Sequence, residues 1–437
     1  MTAPAPGLPL GWLGILRLGL VQAALGAVVV LATSTLNRVM VVEYALPATL
    51  PGLLVALYHA IQVLRPRFGY GSDMGGRRTP WIIGGMLVLA GGGIGAAAAT
   101  AWMARDTWAG IAAAAAAFIA IGIGVGASGT TLLALLAART TPTRRAPAAT
   151  IVWIMMIAGF VVTTAVAGRL LDPYTPLRLV QVAAGVAGLA LLTTLLALRG
   201  MEPGVAPPTT PPAARPAFRA ALAEVWAEPV ARRFTVFVFV SMLAYSAQDL
   251  ILEPFAGMVF GLTVGGSTRL ASLQHGGVLA GMVLMAVTVA LFGAPLRACI
   301  IAGCLGSALA FIALAGAALS GPGWPLHATW FGLGFGNGVF AASAIATMMQ
   351  LAGQGRGARE GTRMGLWGAA QGIAYGAGGL LGTVAYDAAH LALARPDTAY
   401  MTVFVAEAVA FLVSAALAAR IGGVTAPRGA ELAPAGS

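Results

Sequence analysis

Long apolar stretches alternate with short polar gaps along the whole chain, and the charged residues sit almost entirely in the gaps. A bilayer core takes about 20 apolar residues per helix. The pattern supplies twelve such stretches, at roughly 16–38, 46–64, 81–103, 109–137, 149–168 and 178–198, then 233–252, 270–293, 298–319, 327–352, 364–386 and 398–420. It therefore predicts an all-α polytopic membrane protein, with twelve transmembrane helices in two six-helix halves. The longest polar segment, 201–232, separates an N-terminal half, 1–200, from a C-terminal half, 233–437. Within it, residues 203–216 are rich in proline, threonine and alanine and read as an extended linker. Residues 217–233 mix helix formers with Arg219, Glu224, Glu228 and Arg232, which predicts a short amphipathic helix on the membrane surface.

Charge orients the bundle. All 25 basic residues are arginine, and they gather in every second gap. Only Arg38, Arg105, Arg169, Arg178, Arg269 and Arg395 fall on or near the opposite side. By the positive-inside rule both termini are then cytoplasmic, and the net charge of +11 follows from topology. A nucleic-acid partner would need a soluble basic face. With 59% hydrophobic and 9% charged residues, against about 25% charged in a soluble domain, none is expected. The first apolar run is too long for a cleaved leader and is read as a span. Cys299 and Cys304 lie in the ninth span and read as small apolar residues, not as a metal or disulfide pair.

The halves echo each other. Arg145 precedes Trp153 by the same spacing as Arg359 precedes Trp367, before the fifth and eleventh spans. Those spans end in Gly168 followed by Asp172, and in Gly382 followed by Asp387. The second and eighth spans each carry a His beside a Gln, His59 with Gln62 and His275 with Gln274. Together these favour duplication of a six-helix unit. Glycine is abundant, at 59 residues. The runs Gly122, Gly124, Gly126 and Gly368, Gly372, Gly376 put small residues on one helix face, where helix backbones can meet closely in lipid.

Four charged residues, Arg38, Glu43, Asp249 and Glu253, are expected near the outer ends of the first and seventh spans. Arg38 pairing with Asp249 or Glu253 would tie the halves and neutralise charge that is costly in lipid. Proton coupling, or binding of a polar head group, is the other reading. No Ser-His-Asp set, Cys/His metal cluster or phosphate loop stands out, so an enzyme is not expected.

The gap after the second span reads Gly69-Tyr-Gly-Ser-Asp73-Met-Gly-Gly76-Arg77-Arg78-Thr-Pro80. It resembles the loop between helices two and three of the major facilitator superfamily, with Met74 where a basic residue is usual. Asp73 could meet arginines or a helix N-terminus, while Arg77 and Arg78 meet anionic lipids of the inner leaflet. Such a loop speaks for fold and not for transport.

The stretch Thr35-Leu-Asn37-Arg38-Val-Met-Val-Val-Glu43, then Leu46-Pro-Ala48, Arg65-Pro-Arg67 and Arg77-Arg78-Thr-Pro-Trp81-Ile82, resembles the PucC/LhaA family of light-harvesting complex assembly proteins. These form a branch of the major facilitator superfamily in phototrophic bacteria. The variant here looks closer to the LhaA branch. The resemblance implies an assembly factor for the LH1 antenna around the reaction centre, placed in the intracytoplasmic photosynthetic membrane. Its partners would be the LH1 α and β polypeptides, the reaction centre–LH1 complex and pigment-synthesis or insertion machinery, and its cofactor bacteriochlorophyll or a related pigment. On that reading His59 and His275 are candidate axial ligands for the pigment magnesium; the alternative for each is a hydrogen bond to a neighbouring helix. The glycine stripes would be a backbone-lined pigment groove or simply tight helix contacts. Three rival functions stay open: LH2 assembly within the same family, proton-coupled transport of a small solute through Asp249 or Glu253, and a membrane enzyme of pigment synthesis, for which no catalytic set is recognisable.

Overall fold

The computed structural model describes residues 10–65, 68, 77–141, 144–202, 226–354 and 360–420. Among them run twelve principal helices: α1 Trp12–Glu43, α2 Thr49–Leu64, α3 Thr79–Met103, α4 Thr107–Arg139, α5 Arg145–Leu170 and α6 Pro176–Leu198, then α7 Pro229–Phe260, α8 Val264–Phe292, α9 Leu296–Ser320, α10 Leu326–Gln354, α11 Glu360–Leu393 and α12 Pro396–Ala419. Ten of these contain a segment long and apolar enough to cross a bilayer; α2 is shorter, and α11 runs for 34 residues. The chain is a multi-pass membrane protein. Buried apolar residues form two large clusters, one drawn almost wholly from α1–α6 and one from α7–α12.

The halves pack by different means. In the first, α3 and α4 meet through glycine: a Cβ on Gly124 would lie 2.5 Å from the Leu89 amide nitrogen, and one on Gly85 2.6 Å from that of Ser128. In the second, aromatic rings fill the space. Phe255 stands 4.8 Å from Phe404 and 5.2 Å from Tyr400, both edge to face, the arrangement ring quadrupoles favour. Of the stripe on α11, only Gly376 touches a neighbour; Gly368 and Gly372 face open space, so close helix contact does not extend along it.

Several helices outrun their hydropathy, for different reasons. Helix α1 continues through Asn37 and Arg38 to Glu43, with wide π turns at Leu31–Thr35 and Val39–Glu43. Helix α7 continues through Pro254. Proline has no N–H, so the carbonyl four residues back, that of Leu250, loses its helical partner. The Asn37 amide of α1 donates to that carbonyl instead, at 2.6 Å. Helix α8 starts earlier than its hydropathy because the Thr263 hydroxyl accepts the Gly266 N–H at 3.0 Å, an N-cap.

Arginines at the arginine-rich end also close helices. Arg17 donates to the carbonyls of Ala197 (2.9 Å) and Arg199 at the end of α6, and Arg297 to that of Ala419 at the end of α12, meeting the orphan carbonyls of a helix C-terminus. At the start of α3 the Glu202 carboxylate accepts the N–H groups of Arg78 and Thr79 and the Thr79 hydroxyl, each at 2.8 Å. Arg77 reaches the Glu202 carbonyl at 3.4 Å. Gly69, Asp73 and Gly76 of the family loop lie outside the described residues, as do the proline-rich linker and residues 217–225 of the expected amphipathic helix; of its remainder, Trp226 and Ala227 are helical and residues 229–233 already belong to α7.

Candidate functional site

Two seams join the halves, and they repeat one design. In the first, α2 and α11 run antiparallel. The Asp387 carboxylate accepts the N–H groups of Ala48 (3.0 Å) and Thr49 (2.7 Å) and the Thr49 hydroxyl (2.6 Å), closing the N-terminus of α2. Gly52 then lies against Thr383, and Gly376 lets the backbone of α11 approach His59, where a Cβ would fall 3.1 Å from the His59 Cβ. The His59 ring lies 5.8 Å from Tyr375 and 4.4 Å from Tyr58.

In the second seam α5 meets α8. Asp172 accepts the Gly265 N–H at 3.1 Å at the N-terminus of α8 and pairs with Arg269 at 3.1 Å. Ser272 donates to the Val161 carbonyl at 3.0 Å, and the His275 ring lies 5.2 Å from Phe160. The repeated Asp and His of the sequence thus hold matching places: an aspartate on a helix N-terminus at the arginine-poor end, and a histidine against an aromatic ring further in.

The α1–α7 contact corrects one expectation. Arg38 bonds neither Asp249 nor Glu253. It is buried, pairs with Glu43 on its own helix and donates to the Leu262 carbonyl at 2.7 Å. The cause is local: a π turn brings residues five apart onto one face, which sequence spacing does not reveal. Nor do all four charges sit at helix ends: Glu43 ends α1, but Asp249 and Glu253 sit inside α7. Glu253 is buried and held by hydroxyls, from Ser34 on α1 and, at 3.4 Å each, from Ser267 and Thr268 on α8. Beyond the helix ends, Tyr44 and Tyr174 share a hydrogen bond of 3.0 Å. Burial first, and that bond second, raise the Tyr174 phenol above its ordinary range.

Asp249 belongs to a different group, one the pattern of spans does not show. Tyr245 and Asp249, one turn apart on α7, share a neighbourhood with Tyr375 of α11, Glu407 of α12 and Tyr58 of α2. The Tyr245 and Tyr375 rings stand 6.0 Å apart. Glu407 is 8% exposed, and its Oε2 is buried with no hydrogen-bond partner. A lone acid in a strongly apolar last span is itself a signal of a site.

As ligands for a chlorin magnesium, His59 and His275 fit chemically. Both imidazoles are partly exposed, and among the described residues neither makes a hydrogen bond that would compete for its ring nitrogens. Gly276, beside His275, has open space where a Cβ would be.

A family profile described as "PUCC protein" matches residues 35–425. The chain belongs to the PUCC family. This family member is 52% identical over 429 residues to the "Bacteriochlorophyll synthase 44.5 kDa chain" of Rhodobacter capsulatus, covering 97% of this chain and 98% of that one. It is 31% identical over 420 residues to "Protein PucC" of Cereibacter sphaeroides, covering 90% and 88%. Among solved structures it is similar to a bacterial homologue of the human lysosomal transporter Spinster in an inward-facing, unoccupied conformation, with TM-score 0.69, 16% identity and coverage of 93% and 95%. A D-xylose–proton symporter gives TM-score 0.67 at 16% identity, covering 91% and 96%. Those likenesses show the fold alone: the helices are arranged as in these two proteins.

Proposed function

We propose that this protein is an assembly factor for a bacterial LH1 antenna, handing bacteriochlorophyll to the α and β antenna polypeptides as they insert around the reaction centre. The observation that carries the reading is near full-length identity of 52% with a relative whose name concerns bacteriochlorophyll, inside the PUCC family. His59 and His275 would hold the pigment through its magnesium, and the pigment would supply the near-infrared chromophore that the antenna needs. The protein's place is the intracytoplasmic photosynthetic membrane, with both termini cytoplasmic. An LH2 client is the lesser reading, because identity to PucC is only 31%.

One further reading has specific support. The name of that relative contains "synthase", which favours work alongside pigment synthesis. A deletion strain separates the two. Loss of assembled LH1 with bacteriochlorophyll synthesis intact supports antenna assembly; a fall in bacteriochlorophyll itself supports the synthetic role; normal LH1 and normal pigment refute both. For the pigment site, protein purified from photosynthetic membranes should carry near-infrared absorption that falls in His59→Ala and His275→Ala. Unchanged pigment content would remove those residues from the site.

A further inference from the structure

The tyrosine and acid group where α2, α7, α11 and α12 meet is not explained by pigment ligation or by the seams. It places two carboxyl side chains, Asp249 and Glu407, within electrostatic reach of one another inside the apolar bundle. No arginine is paired with either among the described residues. Nor do hydrogen bonds from the protein account for them. Asp249 and the hydroxyls of Tyr245 and Tyr375 make none among the described residues, and the buried Oε2 of Glu407 has no partner. In lipid such groups face one another, water or a ligand, because an unmatched polar group there is costly. Glu253, one turn beyond Asp249, differs: three hydroxyls hold it.

Ring geometry supplies the other half of the argument. Tyr245 and Tyr375 lie 6.0 Å apart and tilted by 57°, and His59 and Tyr58 continue the aromatic wall on α2. Electron-rich ring faces beside acids that a bound cation would ionise are the chemistry that selects a cation too large and too apolar to keep its water shell. A small hydrated ion gains little from ring faces, and an anion is repelled. We propose that this group is a binding site for an organic cation, with Asp249 and Glu407 matching its charge and Tyr245, Tyr375 and Tyr58 covering it. The site lies where the α2–α11 seam ends: Gly376 is packed on His59, whereas Gly372, one turn further along α11, has nothing within 4 Å.

The test uses the purified full-length protein and two probes of equal size and opposite charge, tetraphenylphosphonium and tetraphenylborate. Equilibrium dialysis should show saturable binding of tetraphenylphosphonium and none of tetraphenylborate. Asp249→Asn and Glu407→Gln should each weaken binding by about tenfold or more, with Cys299→Ala unchanged. Tyr375→Phe should keep affinity and Tyr375→Ala lose it, since the ring face and not the hydroxyl makes the contact. A second measurement needs no variant: tetraphenylphosphonium should slow modification of Glu407 in the native protein by dicyclohexylcarbodiimide. Equal binding of both probes, retention of affinity in the Asp249→Asn/Glu407→Gln double variant, or carbodiimide labelling that the cation does not slow would each overturn the site and leave the two acids as a protonated structural pair.

Discussion

The bond from Asn37 to the Leu250 carbonyl is a tie between halves that exists because of a proline, and that dependence can be measured. Asn37 is 1% exposed and donates at 2.6 Å to the carbonyl that Pro254 leaves without a helical donor. Side-chain hydrogen bonds between membrane helices average about 0.6 kcal/mol and reach about 1.7 kcal/mol. Orphaning a buried carbonyl costs about 1–3 kcal/mol. Asn37→Ala does both, so a loss of about 2 kcal/mol is expected. Pro254→Ala returns an N–H at position 254, which the Leu250 carbonyl can accept within its own helix. In that background Asn37→Ala should cost only about 0.5 kcal/mol, the remaining value of packing and of a weaker bond. The coupling across the double-mutant cycle is then about 1.5 kcal/mol, roughly tenfold in the folding equilibrium. The unpartnered Oδ1 of Asn37 is lost in both backgrounds and cancels. Reversible unfolding in mixed micelles, titrated with dodecyl sulfate on the four proteins, reads the number. Additivity within about 0.5 kcal/mol would mean that Pro254 does not create the need that Asn37 meets.

Two more outcomes follow from the packing. Asp387→Ala removes the acceptor from two backbone N–H groups and a hydroxyl at the start of α2. At about 1–2 kcal/mol for a lost N-cap, a Leu46→Cys reporter, in a protein lacking Cys299 and Cys304, should react with an impermeant maleimide about five- to thirtyfold faster; an unchanged rate would deny the seam its role. Gly334→Ala would push a Cβ to 2.0 Å from the Gln274 carbonyl oxygen and should destabilise by about 1–3 kcal/mol, whereas Gly368→Ala, in open space, should gain up to about 1 kcal/mol from helix propensity. Thermal unfolding in detergent ranks the two, and the reverse order would contradict the contacts.

Twelve helices in two halves were legible because each span carries its own apolar run, and no distant partner is needed to see it. Helix ends were not legible where a distant residue supplies what the local sequence lacks. Pro254 reads as a stop only until Asn37, more than two hundred positions earlier, is known to meet Leu250. The partner of Arg38 is hidden for another reason: Glu43 lies five positions on, off the α-helical repeat, and meets Arg38 because the chain there winds in π turns. The paired Asp172 and Asp387, and the paired histidines, were visible as repeats. Their work was hidden, because each acts on a helix of the other half. The acid and tyrosine group left only scattered traces, Asp249 and the acid Glu407 within apolar spans, because its members come from four helices between Tyr58 and Glu407.

The same contacts bear on whether the two halves can part. At the arginine-poor end the halves meet through polar groups whose partners lie across the divide: Asn37 on the Leu250 carbonyl, Ser34 on Glu253, Asp387 on the start of α2, Asp172 on the start of α8. In water such bonds exchange at little net cost. Opening that end would break these four contacts together and hand their groups to water entering the cleft. A carrier that alternates its access must supply substitutes during each cycle. The acid and tyrosine group lies at the inner limit of this bonded zone, and it already lacks protein partners. Occupancy there adds interactions without breaking any that hold the halves. A ligand bound there would therefore leave the seams intact and add to what holds the halves together.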